Sequence, residues 1–290
     1  MLLITGANGK LGRLIVEEVL RKRDPGAPLA VSVRDAAAAA DLAERGVDVR
    51  RADYHDLDSI RAAFAGVDRL LLMPTPAPDP DARVAEMIPV TQVAAAVGVK
   101  HIVYPGAVEV EGLDFPLLSS HTRVYEAIVA TGVQTTHLRV NIYAEFIAGE
   151  VAGAVAAGEL AAAVDRARIA PVLRSDIAPA IAAVLTEDGH EGKTYDLTGQ
   201  DAVSWAQLAE LASTRAGKPI PYRNVDDTEA AARMEAAGIP APYIPSMLGF
   251  YAAYRAGWSG TPSGHIEQLA GRTPTPTLDA IAAVLDGTAR

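Results

Sequence analysis

The sequence contains no cysteine, which excludes disulfides, a thiolate nucleophile and any cysteine-based metal site. Aromatic residues make up only 5% of it, so alanine does much of the apolar packing, and small side chains favour close helix-on-sheet layers. A basic surface is missing as well. The 26 Lys and Arg against 36 Asp and Glu give a formal charge of −10, whereas a nucleic-acid partner calls for clustered cations. The one basic run, Arg21-Lys22-Arg23, sits at the end of a predicted helix, where cations complement the helix dipole. No apolar run reaches the roughly 18 to 20 residues that a membrane span needs. Met1 leads into an apolar strand and a glycine turn, not into a signal peptide. The expected location is the cytoplasm, with no membrane or nucleic-acid partner.

Short apolar runs alternate with helical patterns through the first half. Leu2–Thr5, Leu29–Val33, Val47–Arg51, Arg69–Met73, His101–Tyr104 and Gln134–Arg139 read as strands. Helices are expected at Leu11–Leu20, around Ala36–Arg45, at Ser59–Ala65, after Pro80 and at Ser120–Thr131. Strands that are apolar throughout, each followed by a helix, imply a parallel sheet covered on both faces. Right-handed crossovers then give a doubly wound α/β Rossmann fold. The pairs Gly46-Val47, Gly98-Val99 and Gly132-Val133 end helices, and Gly66-Val67 precedes the fourth strand; glycine there fits a left-handed C-cap. After about residue 141 the pattern loosens. Helices at Ala144–Ala157, Ile177–Leu185 and Trp205–Ala216 surround a short strand near Thr194–Leu197, and Pro and Gly are dense from Tyr222 onward. This predicts a dinucleotide-binding unit over 1–141, with return segments near 168–198, and a smaller, mainly helical, less regular C-terminal lobe over 142–290 that receives substrate.

The strongest local signal is Thr5-Gly6-Ala7-Asn8-Gly9-Lys10-Leu11-Gly12, between the first strand and the first helix. One glycine permits the turn, the next lets the backbone approach a pyrophosphate, and the last packs helix against sheet. The phosphates then meet the positive end of the helix. At the end of the second strand, where NAD enzymes usually carry an acid, stands Arg34. A guanidinium can grip a 2′-phosphate bidentately, so the cofactor expected is NADP(H). Asp35 offers the alternative of a simple surface pair with Arg34. Asp53 and Tyr54 follow the third strand, where the adenine belongs, although Asp53 also has the character of a helix cap. Met73 and Pro74 follow the fourth strand, and Tyr104 and Pro105 the fifth. Both places are carboxyl ends of strands, where open α/β sheets bind ligands.

The turn, Val33-Arg34, Ala52-Asp53-Tyr54, Val99–Tyr104, Thr136-His-Leu-Arg139, Tyr143, Gly189–Thr198 and Gly271-Arg-x-Pro274 together resemble the NmrA-like, atypical short-chain dehydrogenase/reductases, nearly end to end. The chain looks most like their NAD(P)H:quinone reductases and triphenylmethane reductases. The resemblance implies an NADPH-binding Rossmann domain, a helical lobe and a substrate cleft between them. It also admits regulators that bind dinucleotide without turnover.

Typical short-chain dehydrogenases use a Ser-Tyr-Lys set with Tyr four residues before Lys. None of the lysines here (Lys10, Lys22, Lys100, Lys193, Lys218) has such a Tyr, and Pro105-Gly106-Ala107 stands where a Ser or Thr would polarise a carbonyl. This absence selects the acceptor. Reducing a ketone makes an alkoxide whose conjugate acid has a pKa of about 16. A reduced quinone is nearer 10, like Tyr, which lowers the demand for an enzymic acid by roughly 8 kcal/mol. A cationic dye or iminium needs still less. His121 and Tyr125, four apart on one helix face, are the candidate proton or hydrogen-bond donors. His121 matches a histidine of the dye and quinone reductases when aligned on Leu138-Arg139; its alternative is a helix cap, and that of Tyr125 is core packing. Asn141 and Tyr143 follow the sixth strand and either orient substrate or anchor the loop. Phe250, Tyr251, Tyr254 and Trp258 form either an apolar lid or the buried face of one helix. His55, His101, His137 and His190 have no metal-ligand spacing.

The expected function is an NADPH-dependent reductase of a small hydrophobic or aromatic substrate, a quinone or similar conjugated acceptor. The alternatives are a non-catalytic dinucleotide-binding regulator, or a biosynthetic epimerase, dehydratase or imine reductase on the same scaffold. A homodimer is left open.

Overall fold

The computed structural model describes residues 1–107, 112–113 and 115–289. Strands β1 (Leu2–Thr5), β2 (Leu29–Val33), β3 (Asp48–Arg51), β4 (Arg69–Leu71), β5 (His101–Ala107) and β6 (Gln134–Val140) come first; β7 (Leu160–Ala162), β8 (Arg168–Ile169) and β9 (Thr194–Leu197) follow. Seven of them form a parallel sheet in the order β3-β2-β1-β4-β5-β6-β9. The winding reverses between β1 and β4, which opens a crevice at their carboxyl ends.

Alternate residues of each strand point to opposite faces, and both faces are covered. Leu3, Leu70, Ile102 and Tyr104 pack beneath α3 (Leu57–Phe64), α4 (Pro80–Ala96) and α5 (Pro116–Ala130). Ile4, Val31, Leu71, Val103 and Leu138 belong to the core shared with α1 (Lys10–Lys22), α2 (Ala40–Glu44) and α7 (Arg174–Thr186). The apolar character of the inner strands thus reflects double burial, whereas the edge strand β3, Asp-Val-Arg-Arg, has no buried residue. Gly46, Gly66, Gly98 and Gly132 all take positive φ, as their Gly-Val context predicts.

Boundaries differ from expectation at the site, and β4 ends at Leu71, not Met73. Strand β5 runs on through Pro105 to Ala107, because β4 stops opposite Val103. Beyond that point β5 has a free edge, where the N–H that proline lacks is not needed for a ladder. Helix α5 begins at Pro116, not Ser120, since proline suits a first helical turn. The expected helix over 36–45 divides into a 3-10 turn, Ala36–Ala39, and the short α2.

The C-terminal region is more regular than its Pro and Gly content suggests. Around α6 (Ala144–Ala157) stand α8 (Trp205–Ala216), α9 (Asp227–Ala236), α10 (Ile244–Arg255) and α12 (Thr277–Leu285). Small sheets pair β7 with β11 (Tyr222–Asn224) and β8 with β10 (Val203–Ser204). Prolines open α10 and α12 instead of breaking them. Ile266 and Leu269 of α11 (His265–Ala270) return to the core of α1 and α7. Phe115, just before α5, lies against α10. A Cβ on Gly249 would come within 2.6 Å of its ring, and the Phe115 and Phe250 rings meet edge to face at 5.1 Å. Among the described residues no helix is long and apolar enough to cross a membrane.

Candidate functional site

The glycine turn lies at the crevice. Gly6 has φ +63° and the Gly9 N–H bonds back to the Gly6 carbonyl at 2.9 Å. A Cβ on Gly12 would drive into that same carbonyl and would lie 3.1 Å from the Ala7 Cα, so helix α1 approaches as closely as it does only because residue 12 has no side chain. Leu11, in the first turn of α1, is buried in the core, while Asn8 and Lys10 are exposed. The N-cap is Gly9, which offers no side-chain acceptor, and the first turn holds no acid. Helices α3 and α4, in contrast, begin at Asp56 and Asp79, whose carboxylates accept from Ser59 and Ala82 N–H. The first N–H groups of α1 therefore still require an acceptor, and the dipole favours an anion. Asn8 is held from behind by Arg13 at 2.7 Å, and Arg13 also pairs with Asp41 at 2.7 Å.

Arg34 stands exposed at the carboxyl end of β2 and makes no ion pair among the described residues. Asp35 does not neutralise it, because the Asp35 carboxylate accepts from Ala37 N–H at 3.0 Å and caps the 3-10 turn. Asp53 accepts from His55 N–H at 3.1 Å and is not a helix cap; Asp56 has that role. The Tyr54 hydroxyl lies 2.8 Å from the Met73 carbonyl oxygen and 3.0 Å from Thr5 Oγ1. Thr5 Oγ1 in turn donates to the Leu71 carbonyl and accepts from Met73 N–H at 2.8 Å. This cluster ties β1, β4 and the segment after β3 together beneath the crevice, and burial pushes the Tyr54 phenol pKa upward. Met73 sits beside Gly6, with its Cβ 3.3 Å from where a side chain there would begin. Pro74, half-buried, follows it.

The residues expected to handle protons are drawn inward. Tyr104 is fully buried on the face under α4 and α5, so its side chain is directed away from the crevice. Pro105 is buried beside it in β5. The Tyr104 hydroxyl is 3.0 Å from His121 Nδ1, and Arg83 Nη1 lies 3.3 Å from His121 Nε2 and 3.0 Å from Ser120 Oγ. Arginine can only donate, so Nε2 accepts and Nδ1 carries the proton toward Tyr104. Burial, and then the charge of Arg83, push the His121 pKa down to about 3. His121 is thus a neutral link in an internal chain, and its place beyond the first turn of α5 removes the capping alternative. Tyr125 stacks on His137 with ring centroids 3.9 Å apart, and its hydroxyl is 3.5 Å from Thr135 at the amino end of β6. It is not brought to the carboxyl edge. Asn141 accepts from Ile142 N–H at 2.6 Å and donates to the Ser259 carbonyl at 3.3 Å, anchoring its loop. Tyr143 differs: the Arg174 guanidinium lies 4.0 Å over its ring, and its hydroxyl makes no hydrogen bond among the described residues.

Arg83 was not anticipated. It is 8% exposed, forms no ion pair among the described residues, and donates to the Ala77 carbonyl at 3.1 Å as well as to Ser120. Its neighbours Asp79 and Asp81, one a capping residue, make it read as the solvated start of a helix, and only Val84 beside it hints at burial. Also unforeseen is a cavity of about 1000 Å³ between α6, α9 and α10. Among the described residues no cluster of His, Asp or Glu is arranged to hold a metal.

Comparison with known proteins places this geometry. The NmrA-like family model matches residues 1–258. Quinone oxidoreductase 2 of Escherichia coli is 33% identical over 240 residues, 83% of each chain. The triphenylmethane reductase of Citrobacter sp., solved with NADP(H), superposes with a TM-score of 0.90 at 31% identity, covering 98% of this chain and 100% of that one. The NADPH-dependent quinone oxidoreductase of Escherichia coli, solved with NADPH, gives 0.91 at 29% identity, covering 98% and 99%.

Proposed function

This chain belongs to the NmrA-like family, and we propose that it is an NAD(P)H-dependent oxidoreductase that passes hydride to a quinone or a similar conjugated acceptor. The observation that carries the reading is the start of α1: an uncapped helix end without acids, behind glycines whose missing side chains leave a cradle. These features fit a dinucleotide pyrophosphate, and Arg34 at the next strand end, without an ion pair among the described residues, fits a 2′-phosphate. NADPH, when bound, supplies a transferable hydride at its nicotinamide.

The chain's own part is to hold and to exclude. The backbone from Gly6 to Gly12, with Thr5, Asn8, Lys10 and Leu11 shaping the turn, grips the pyrophosphate. Asp53 and Tyr54 border the adenine, while Met73, Pro74 and Pro105 wall the nicotinamide end of the crevice. Tyr143 keeps a hydroxyl to orient the acceptor. The engagement of His121, Tyr125 and Asn141 with protein partners supports an acceptor that needs no strong acid, as a quinone does. The similarity to a quinone oxidoreductase and to a triphenylmethane reductase supports the same acceptor class.

Arg34→Ala tests the cofactor assignment. Loss of charge-assisted hydrogen bonds should raise the Kd for NADPH by about 10- to 100-fold in calorimetry and leave NADH nearly unchanged. Equal effects on both would remove the 2′-phosphate assignment. Steady NADPH oxidation with a panel of quinones is expected, and a panel that gives none rejects the acceptor.

A further inference from the structure

Arg83 stands where a positive charge is least welcome. It lies in the first turn of α4, where the helix dipole repels cations, and it is buried away from the water that would solvate it. Asp79 and Asp81, the acids nearest in sequence, are engaged elsewhere: Asp79 caps α4, and Asp81 pairs with Arg123 at 2.7 Å. Glu86, one turn further on, accepts from the Thr75 hydroxyl and faces His55 at 3.7 Å; its charge is felt by Arg83 only at a distance. No carboxylate among the described residues pairs with the guanidinium, and the Arg83 Nε is buried without a hydrogen-bond partner. Burial lowers the Arg83 pKa, yet an arginine does not give up its proton inside a protein. Neutral donors could serve the Ala77 carbonyl, Ser120 and His121. The charge itself is left over.

That charge lies on the crevice side. Helices of a parallel sheet begin at the carboxyl ends of the preceding strands, the edge where ligands sit. Arg83 Nη2 donates to the Ala77 carbonyl at 3.1 Å, in the segment that follows Met73 and Pro74. A charge not spent in an ion pair acts over a longer range through protein than through water. Acceptors differ in how they respond to it. When hydride from a dihydronicotinamide bonds to a neutral quinone, the electron pair leaves one negative charge on a quinone oxygen, discharged afterwards by a proton from water. When hydride bonds to the central carbon of a triarylmethyl cation, the product is neutral. A fixed cation nearby stabilises the first product and repels the second acceptor.

Resting on the reductase reading above, we propose that Arg83 is the fixed positive charge that stabilises the anion formed on a neutral acceptor, and that it sets a preference for neutral quinones over cationic dyes. It acts through its field, without touching the substrate. Coulomb's law gives the scale: a unit charge about 10 Å away, at an effective dielectric of about 20, changes the population of an anion roughly 10- to 20-fold.

Two variants separate charge from hydrogen bonding: Arg83→Gln keeps a donor and loses the charge, and Arg83→Lys keeps the charge. In stopped-flow at saturating NADPH, Arg83→Gln should slow hydride transfer to a neutral benzoquinone about tenfold, and Arg83→Lys by less than about threefold. Turnover of the cationic dye crystal violet should be no lower in either variant than in the wild type. A second readout needs no turnover. With NADP⁺ bound, nitrophenolate, a stable mimic of the anionic product, should bind Arg83→Gln about tenfold more weakly than the wild type in absorbance titrations, and Arg83→Lys nearly as well as the wild type. Affinity for NADPH, measured on each variant, reports an intact fold and should shift no more than a few-fold. If Arg83→Gln does not fold, Arg83→Lys still has to stay within its threefold limit. Equal losses with quinone and dye, a lysine variant as slow as the glutamine one, or nitrophenolate that the wild type does not bind or binds regardless of the charge each overturns the proposal. A wild type that binds NADPH but reduces no quinone removes the acceptor reading, and the nitrophenolate titration then decides on Arg83 by itself.

Discussion

The sheet half and the helical lobe solve opposite problems. Around the sheet, burial acts on two histidines and holds them neutral, His121 down to about 3 and His137 to about 4. In the lobe the half-buried Glu150 is an acid, and its carboxyl is pushed up to about 7. Glycine differs in the same way. In α1 it permits contact between backbones, whereas in α6 it leaves emptiness. The lesson is that a residue type carries no fixed meaning; what its missing or buried atoms face decides it.

The sharpest way to break this comparison is one substitution in both halves. Gly12→Ala forces a methyl into the Gly6 carbonyl and should reduce NADPH affinity by at least about 100-fold, or unfold the sheet half. Gly153→Ala meets nothing and should stabilise the protein by about 0.5 to 1 kcal/mol, since alanine suits a helix interior better. Thermal melts and NADPH titrations of the pair decide the matter; similar outcomes for both would erase the contrast.

The second test is pH. The unfolded chain protonates His121 and His137 near 6.5 while the folded chain resists to about 3 and 4. Between these values the unfolded state holds more protons, so stability falls as pH drops, by up to about 1.4 kcal/mol per unit for each histidine. Glu150 runs the other way. Its folded state keeps a proton from the ordinary carboxyl value of 4.5 up to about 7, so its contribution is full below 4.5 and is lost as pH rises through 7. Glu150→Gln should therefore flatten the loss from pH 4.5 to 7 and leave the acid limb unchanged in denaturant titrations. An unchanged profile would remove Glu150 from the contrast.

The third test is Arg83→Met. It strips donors from the Ala77 carbonyl, Ser120 and His121 and should cost about 1 to 3 kcal/mol. Because Ala77 lies in the segment after β4, affinity for NADPH should weaken a few-fold as well, read by calorimetry, while the lobe cavity is unaffected. Full stability in the variant would show that the internal chain is ornamental.

Legibility divides along the same line. In the sheet half, alternation of apolar runs with 3.6-residue periodicity is local, so β1, β2 and β9 were readable to the residue, and Gly6, Gly9 and Gly12 declared themselves. The end of β5 was not, because whether Pro105 ends a strand depends on where its neighbour β4 stops. In the lobe, prolines that open helices look like prolines that break them. His121 and Tyr125 share a helix face, as their spacing requires, but spacing is silent on whether that face meets a cleft or the sheet. Arg83 and Glu150 were hidden for a similar reason: burial of a charge is a property of distant elements.

Phe115 seated on Gly249 has a mechanical consequence. The ring fits because α10 has a notch there, so the start of α5 and the wall of the lobe cavity are latched at one point. Any occupant that pries α10 from α6 must either carry Phe115 with it or pull it out. Motion in the lobe is thereby geared to the helix that bears His121.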